Sequence, residues 1–141
     1  MARLLAIDYG RRRCGIAVTD PMRIVATGLP TVATAQLTQF VRQYTATEQV
    51  DAIIVGHPKD MHGNDSESMQ YIRPGIEKLK KELPGIEIIF WDERFTSVLA
   101  HQSMIDSGMK KMQRRQKGIA DEMAAVIILN SYLESRKYNE S

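Results

Sequence analysis

Three acidic residues lie at the edges of apolar segments, where their carboxylates could meet around a divalent cation. Asp8 ends a short apolar run near the N-terminus, Glu93 follows a second apolar run, and Asp121 opens a third. A charge beside a buried segment is costly unless a positive group meets it. Hard oxygen ligands suit Mg²⁺ or Mn²⁺, and such metal sites serve phosphoryl transfer. The acids therefore predict a metal centre that acts on phosphate esters.

Each of these acids also has a simpler interpretation, and the sequence leaves it open. Asp92 and Glu93 precede Thr96, so they could instead complement the start of a helix. Asp121 could complement the dipole of its own helix. However, helical geometry places Asp121 on one stripe with apolar residues, on a helix that is apolar nearly all round. That setting favours a buried, functional carboxylate.

Basic residues are clustered, although the formal net charge of +2 does not by itself argue for nucleic acid. Clustered bases are the pattern expected of a protein that contacts phosphate backbones. A solvated turn and a solvated loop would account for them equally well. The two clusters are Arg11, Arg12 and Arg13, and then Lys110, Lys111, Arg114, Arg115 and Lys117.

Length and composition indicate one globular domain spanning residues 1–141. The single cysteine, Cys14, excludes an internal disulfide and is expected to be a buried thiol. Asp8 comes too early in the chain for a signal peptide, and no apolar run is long enough to span a membrane. We therefore expect a cytoplasmic protein without a membrane partner.

Hydrophobic periodicity predicts three antiparallel strands followed by alternating helices and strands. This order favours an α/β fold with one mixed five-stranded sheet and helices on both faces. Pro74 is expected to kink or split the second helix, and the tail after about residue 135 is expected to fray. The predicted strands cover 3–8, 14–20, 23–32, 51–56 and 86–91, and the predicted helices cover 36–48, 64–83, 96–106 and 119–132, with a basic loop over 109–117.

Sites in such sheets lie beyond the carboxyl ends of the parallel strands. Asp8 and Glu93 both stand at strand ends of this kind. If the first and fifth strands lie on either side of the fourth, the two carboxylates face one crevice.

Four sequence blocks in order resemble the YqgF family, and together they span nearly the whole chain. The first, from Asp8 to Asp20, reads as the family's DxGxxRxGxAxxD signature. The others are its G-x-P loop, its D-E-R-x-T/S block and its D-x-x-A-A-x-x-I-L helix. In this chain they are Gly56-His57-Pro58-Lys59 with Gly63, Asp92-Glu93-Arg94-Phe95-Thr96-Ser97, and Asp121-Glu122-Met123-Ala124-Ala125 through Ile128-Leu129.

The resemblance implies an RNase H-like fold and a metal-dependent nuclease. Asp8, Glu93 and Asp121 would be catalytic acids that hold one or two Mg²⁺ or Mn²⁺ ions. Arg13 or Arg94 would meet the charge that develops on phosphorus. His57 stands where the family commonly has a hydrophobic residue, and we interpret it as structural or solvent-facing. Flanking phosphates would be bound by Arg11, Arg12, Lys59, Lys110, Lys111, Arg114, Arg115 and Lys117.

The family is described both as Holliday-junction resolvases and as pre-16S rRNA processing nucleases. The resemblance tilts towards 5′-end maturation of pre-16S rRNA, with resolution of four-way DNA junctions as the alternative. Either a monomer or a homodimer is compatible with the sequence, but a resolvase would need two symmetric sites.

Two further classes remain open. A domain that binds structured RNA or DNA without cutting it would be expected to lack a catalytic acid, and all three acids are present. Actin-like ATPases and sugar kinases share a D-x-G phosphate loop but need two domains. A purely structural domain would leave the basic clusters and Asp121 unexplained.

Overall fold

The computed structural model describes residues 2–59, 62–92 and 117–140, and for 117–122 and 136–140 it describes the backbone alone. Five strands form one sheet in the order β3-β2-β1-β4-β5. β2 pairs antiparallel with both β1 and β3, and β4 pairs in parallel with both β1 and β5. The predicted mixed five-stranded sheet is confirmed. The strands are β1 Arg3–Tyr9, β2 Arg13–Thr19, β3 Ala26–Ala33, β4 Val50–His57 and β5 Glu87–Asp92.

Helices cover both faces of the sheet, as the sequence predicted. Helix α1 spans Leu37–Thr47 and α2 spans Met69–Glu82, and both pack on one face. Helix α3, Lys117–Glu140, packs on the other face. Alternate residues of each strand therefore enter two separate cores. We call these two sides of the sheet the α1/α2 face and the α3 face.

The α3 face is built from small side chains at the centre of the sheet. Ala6 and Ala17 are fully buried there and pack in the same cluster as Ala125 of α3. Small residues on both sides let the helix axis lie close to the strands. Ala125 of the last sequence block thus serves close packing of α3 on the sheet.

Helix α2 begins later than predicted, because Asp65 is used in another way. The sequence suggested a start at Asn64, whereas the helix begins at Met69. Asp65 forms a β-bridge with Lys59, and its carboxylate binds two side chains, so its segment is held out of the helix. The helix then runs through Pro74 as one element, so the expectation that Pro74 would split it is wrong.

Strand β3 begins at Ala26 and not at residue 23, because the preceding turn is tied by a side chain. The Asp20 carboxylate accepts hydrogen bonds from the amides of Met22, Ile24 and Val25. Arg23 adopts a positive φ of 59° inside this turn. Pro30 lies in β3 and lacks a backbone N–H group. Because β3 is an edge strand, that missing donor is tolerated.

Helix α3 extends beyond the predicted 119–132 at both ends, and it includes Lys117. It remains helical to Glu140, past the position where the sequence suggested fraying. The predicted helix at 96–106 and most of the predicted basic loop at 109–117 lie outside the described residues. No helix in the described part of the chain combines the length and apolar character needed to cross a membrane.

Candidate active site

Asp8 lies at the carboxyl end of β1 and on the α3 face of the sheet. Its strand alternates strictly, with Leu5 and Ile7 in the α1/α2 core and Leu4 and Ala6 in the α3 core. Asp8 continues the second set, and its residue is partly exposed at the strand end. The carboxylate therefore stands where a buried central strand opens to solvent.

Two glycines flank Asp8 on the neighbouring strands. Gly15 of β2 is its antiparallel partner, and Gly56 of β4 follows Val55, the parallel partner of Ile7. Neighbouring strands lie about 4.8 Å apart, so a side chain at either glycine would stand directly beside the carboxylate. Neither position carries one, so no side chain of β2 or β4 stands directly beside Asp8 on this face. Sequence reasoning gave these glycines no role at the site, although strand alternation would have pointed to them.

Trp91 of β5 lies beyond Gly56 on the same face of the sheet. It pairs with Gly56 in the sheet register and packs in the α3 core. Its indole Nε1 donates a hydrogen bond to Ser131 Oγ at 3.2 Å, and its ring meets Tyr132 edge-on with centroids 5.7 Å apart. These contacts fasten the carboxyl end of β5 to α3. Because β4 lies between β1 and β5, the arrangement required for Asp8 and the β5 end to share one crevice is confirmed.

Of the other two predicted acids, the structure describes only the backbone of Asp121. Glu93 lies outside the described residues, directly after the end of β5 at Asp92. Asp121 lies within α3, one helical turn before the fully buried Ala125, and only its backbone is described. Within the described part of the chain, no three metal-ligating side chains form a group. Of the three carboxylates predicted to bind Mg²⁺ or Mn²⁺, the structure describes the side chain of Asp8 alone.

The first basic cluster lies at the same edge of the sheet as Asp8. Arg11 and Arg12 occupy the β1–β2 turn and are exposed. Arg13 opens β2 and is exposed, and strand alternation puts it on the α3 face with Asp8. Gly10 makes this turn possible, because a Cβ there would overlap the carbonyl oxygen of Arg13. The turn thus presents cations next to the candidate metal ligand.

Lys59 is at this edge as well, since it follows the carboxyl end of β4 and is partly exposed. The second basic cluster cannot be positioned in the same way. Lys117 is the first residue of α3, where only the backbone is described. The remaining predicted phosphate-binding residues lie outside the described residues, namely Arg94, Lys110, Lys111, Arg114 and Arg115.

Asp20, the last acid of the first sequence block, is far from this edge. It follows the end of β2 at Thr19, whose register partner is Ala26, whereas Asp8 pairs near the start of β2. Its hydrogen bonds to backbone amides, the one from Val25 having the largest effect, lower the pKa of its carboxyl group. Asp20 therefore shapes the β2–β3 turn, and the two acids of one motif serve opposite ends of the sheet.

His57 projects towards the α1/α2 face and has a structural partner. Its Nε2 lies 2.7 Å from Asp65 Oδ1, and its ring meets Phe90 edge-on at 5.4 Å. The same carboxylate accepts a hydrogen bond from Arg73 Nη2 at 2.6 Å. Arg73 first and His57 second lower the pKa of the Asp65 carboxyl group. We call these three residues the Asp65 cluster, and it agrees with a structural interpretation of His57.

The sequence and the fold place this chain in a known family. The family model described as "RuvX: Holliday junction resolvase" matches residues 2–135. The chain belongs to the RuvX family. This is the family that the resemblance identified under the name YqgF, and the match covers every sequence block that carried the resemblance.

Curated members of the RuvX family are similar over nearly their whole length. A protein of Phocaeicola vulgatus named "Putative pre-16S rRNA nuclease" is 55% identical over 138 residues, which is 98% of this chain and 99% of that protein. Proteins with the same name from Bacteroides fragilis and Porphyromonas gingivalis are each 50% identical, over 97% and 96% of this chain and 99% and 98% of their own.

Among solved structures, this chain is similar to RuvC of Thermus thermophilus in complex with a Holliday junction substrate. The TM-score is 0.59 at 13% identity, and the match covers 96% of this chain and 97% of the other. A second Thermus thermophilus RuvC structure gives a TM-score of 0.57 at 13% identity, over 95% and 96%. At this identity the likeness shows a shared fold, and the predicted RNase H-like architecture is confirmed.

Proposed function

We propose that this member of the RuvX family is a metal-dependent nuclease whose centre is formed by Asp8, Glu93 and Asp121. The observation that carries the proposal is the position of Asp8 at an open strand end, between Gly15 and Gly56 and on the face that α3 covers. In sequence, Glu93 comes two residues after Trp91, and Asp121 comes four residues before Ala125; both of these neighbours pack on that face.

The donor set fits Mg²⁺ or Mn²⁺, because carboxylate oxygens are the ligands that such hard cations prefer. A divalent ion there would supply positive charge that activates water and offsets charge on the phosphate. The protein's own part would be to position these carboxylates. Asp8 is fixed by the central strand of the sheet, with strands on both sides.

The surrounding cations would bind and orient the substrate strand. Arg13 shares the face of Asp8 and would meet the charge that develops on the scissile phosphate. Arg11, Arg12 and Lys59 stand at the same edge and would bind flanking phosphates. Arg94 and the basic segment around 110–117 are proposed to extend this surface.

The substrate we propose is structured RNA, with cleavage at the 5′ end of pre-16S rRNA in the cytoplasm. The support is the shared name of relatives at 50–55% identity over nearly full length. The second candidate is a four-way DNA junction, which the description of the family model favours. An RNA processor could act as a monomer, whereas a resolvase would act as a homodimer with two symmetric sites.

A cleavage assay separates these substrates. Purified protein is incubated with a pre-16S rRNA 5′ precursor and with a four-way DNA junction, each end-labelled, in Mg²⁺ or Mn²⁺ and in excess EDTA. We expect metal-dependent cutting of the RNA and little cutting of the junction. Symmetric cutting of the junction alone would replace the RNA proposal with the resolvase. Tight binding without cutting of either substrate in any metal would contradict a nuclease.

A further inference from the structure

A polar pocket opens on the α1/α2 face, the side of the sheet opposite the Asp8 carboxylate. Its volume is about 510 Å³, within the range of about 300–1,000 Å³ typical of ligand sites. The β1–β2 turn, the start of α1 and the middle of α2 enclose it. Its lining residues include Tyr9, Arg11, Arg12, Thr38, Gly75 and Lys78.

The charged residues that line this pocket are all positive. Three of its lining residues are cations, Arg11, Arg12 and Lys78, and none of its lining residues is acidic. All three are exposed, and no carboxylate among the described residues lies within ion-pair distance of any of them. Three uncompensated cations around one cavity favour an anionic occupant.

The floor of the pocket is fixed by tight packing. The Tyr9 ring lies against α2 at Gly75, where a Cβ would overlap the phenol. The Arg11 guanidinium lies over the Tyr71 ring, 5.4 Å from its centroid, which holds this cation at the rim.

The pocket is continuous with the candidate active site through a single turn. Asp8 and Tyr9 are consecutive in β1 and therefore point to opposite faces of the sheet. Arg11 and Arg12 line the pocket, while Arg13 stands on the face of Asp8. A nucleic-acid strand bound at Asp8 could thus cross this basic turn and reach the pocket while it stays in contact with positively charged surface.

We propose that this pocket binds one phosphate-bearing nucleotide of a single-stranded stretch of the substrate, next to the stretch held at Asp8. Lys78, Arg11 and Arg12 contact the phosphate, and the hydroxyls of Tyr9 and Thr38 provide hydrogen bonds. This inference rests on the proposed function and adds a second contact point to it. Its main new residue is Lys78, which lies on α2, outside every sequence block that carried the family resemblance.

The test compares two lysines of one helix. Lys78 lines the pocket, whereas Lys81 does not, and both are exposed. Binding of a fluorescent single-stranded RNA from the pre-16S 5′ precursor is measured in EDTA over a range of salt. We expect Lys78→Glu to weaken binding about fivefold more than Lys81→Glu does. It should also reduce the slope of log K against log salt by about 0.7, the value for one phosphate contact on a single strand.

Two controls make the result decisive. Equal effects of Lys78→Glu and Lys81→Glu on binding would contradict the proposal that the pocket binds the RNA, whether or not the protein cleaves it. If AMP binds wild type but not Lys78→Glu, while both proteins bind the oligonucleotide equally well, the site takes free nucleotides and the strand proposal is wrong. In the cleavage assay, Lys78→Glu should raise KM and leave kcat unchanged. If wild type cuts no substrate, the proposed nuclease activity is contradicted. The comparison of Lys78→Glu with Lys81→Glu in the binding assay still tests whether the pocket binds the strand.

Discussion

At the scale of residues, the absence of side chains beside Asp8 matters as much as the carboxylate itself. Gly15 and Gly56 flank it on two different strands, which makes room on one face only. The neighbouring strands hold the acid in position, and in the proposed centre the two glycines would let a phosphate and a cation approach it. Positioning of this kind contributes to catalysis because small displacements of reacting groups are costly.

Filling that space should impair cleavage. Gly15→Ala and Gly56→Ala each place a methyl group about one strand spacing from the carboxylate, and we expect kcat to fall about tenfold or more. Gly85→Ala is the matched control, because a Cβ at Gly85 meets nothing within 4 Å. Folding is checked by thermal unfolding. A folded Gly56→Ala variant with wild-type kcat would show that the crevice is not where the substrate sits.

At the scale of elements, the Asp65 cluster ties the loop after β4 to α2. The Asp65 carboxylate contacts His57 at the end of β4 and Arg73 in α2. The pKa of this carboxyl group is lowered from its usual value of 3.8, chiefly by Arg73. A lowered pKa means that the ionised form stabilises the folded state. That contribution is complete above pH 3.8 and is lost as the pH falls towards the lowered pKa.

Removing this carboxylate should therefore change the pH dependence of stability. Asp65→Asn is expected to have a lower Tm than wild type at neutral pH. Its Tm is also expected to fall less steeply than that of wild type as the pH is lowered. Thermal melts between pH 3 and pH 7 measure both effects, with the difference shrinking at the acid end. Asp51→Asn is a control, since its partner Arg23 ties a different turn. Parallel Tm curves for wild type and Asp65→Asn would contradict a stabilising cluster.

Local sequence signals predicted the five strands and the helices α1–α3, and they failed at the boundaries that side chains set. Helix α2 begins at Met69 because Asp65 is occupied in a β-bridge and in contacts with two side chains. Strand β3 begins late because Asp20 binds three backbone amides of the preceding turn. These are long-range or loop-specific bonds, which a periodic pattern does not encode.

At the scale of the whole molecule, the sheet separates the two proposed sites. The α3 face carries Asp8 and the proposed metal chemistry, and the α1/α2 face carries the basic pocket with Lys78. The order of strands could be anticipated only conditionally from sequence, since placing β4 between β1 and β5 depends on tertiary pairing. The pocket could not be anticipated, because it forms where three elements distant in sequence meet.

The most direct test of the proposed nuclease centre compares the two aspartates that delimit the first sequence block. Asp8→Asn and Asp20→Asn make the same chemical change, one at the proposed centre and one in the β2–β3 turn at the other end of the sheet. Single-turnover cleavage of the preferred substrate is measured in Mn²⁺ for both variants, each verified as folded. The proposal predicts that Asp8→Asn abolishes cleavage while Asp20→Asn retains it. Cleavage at the wild-type rate by folded Asp8→Asn protein would contradict the assignment of the active site.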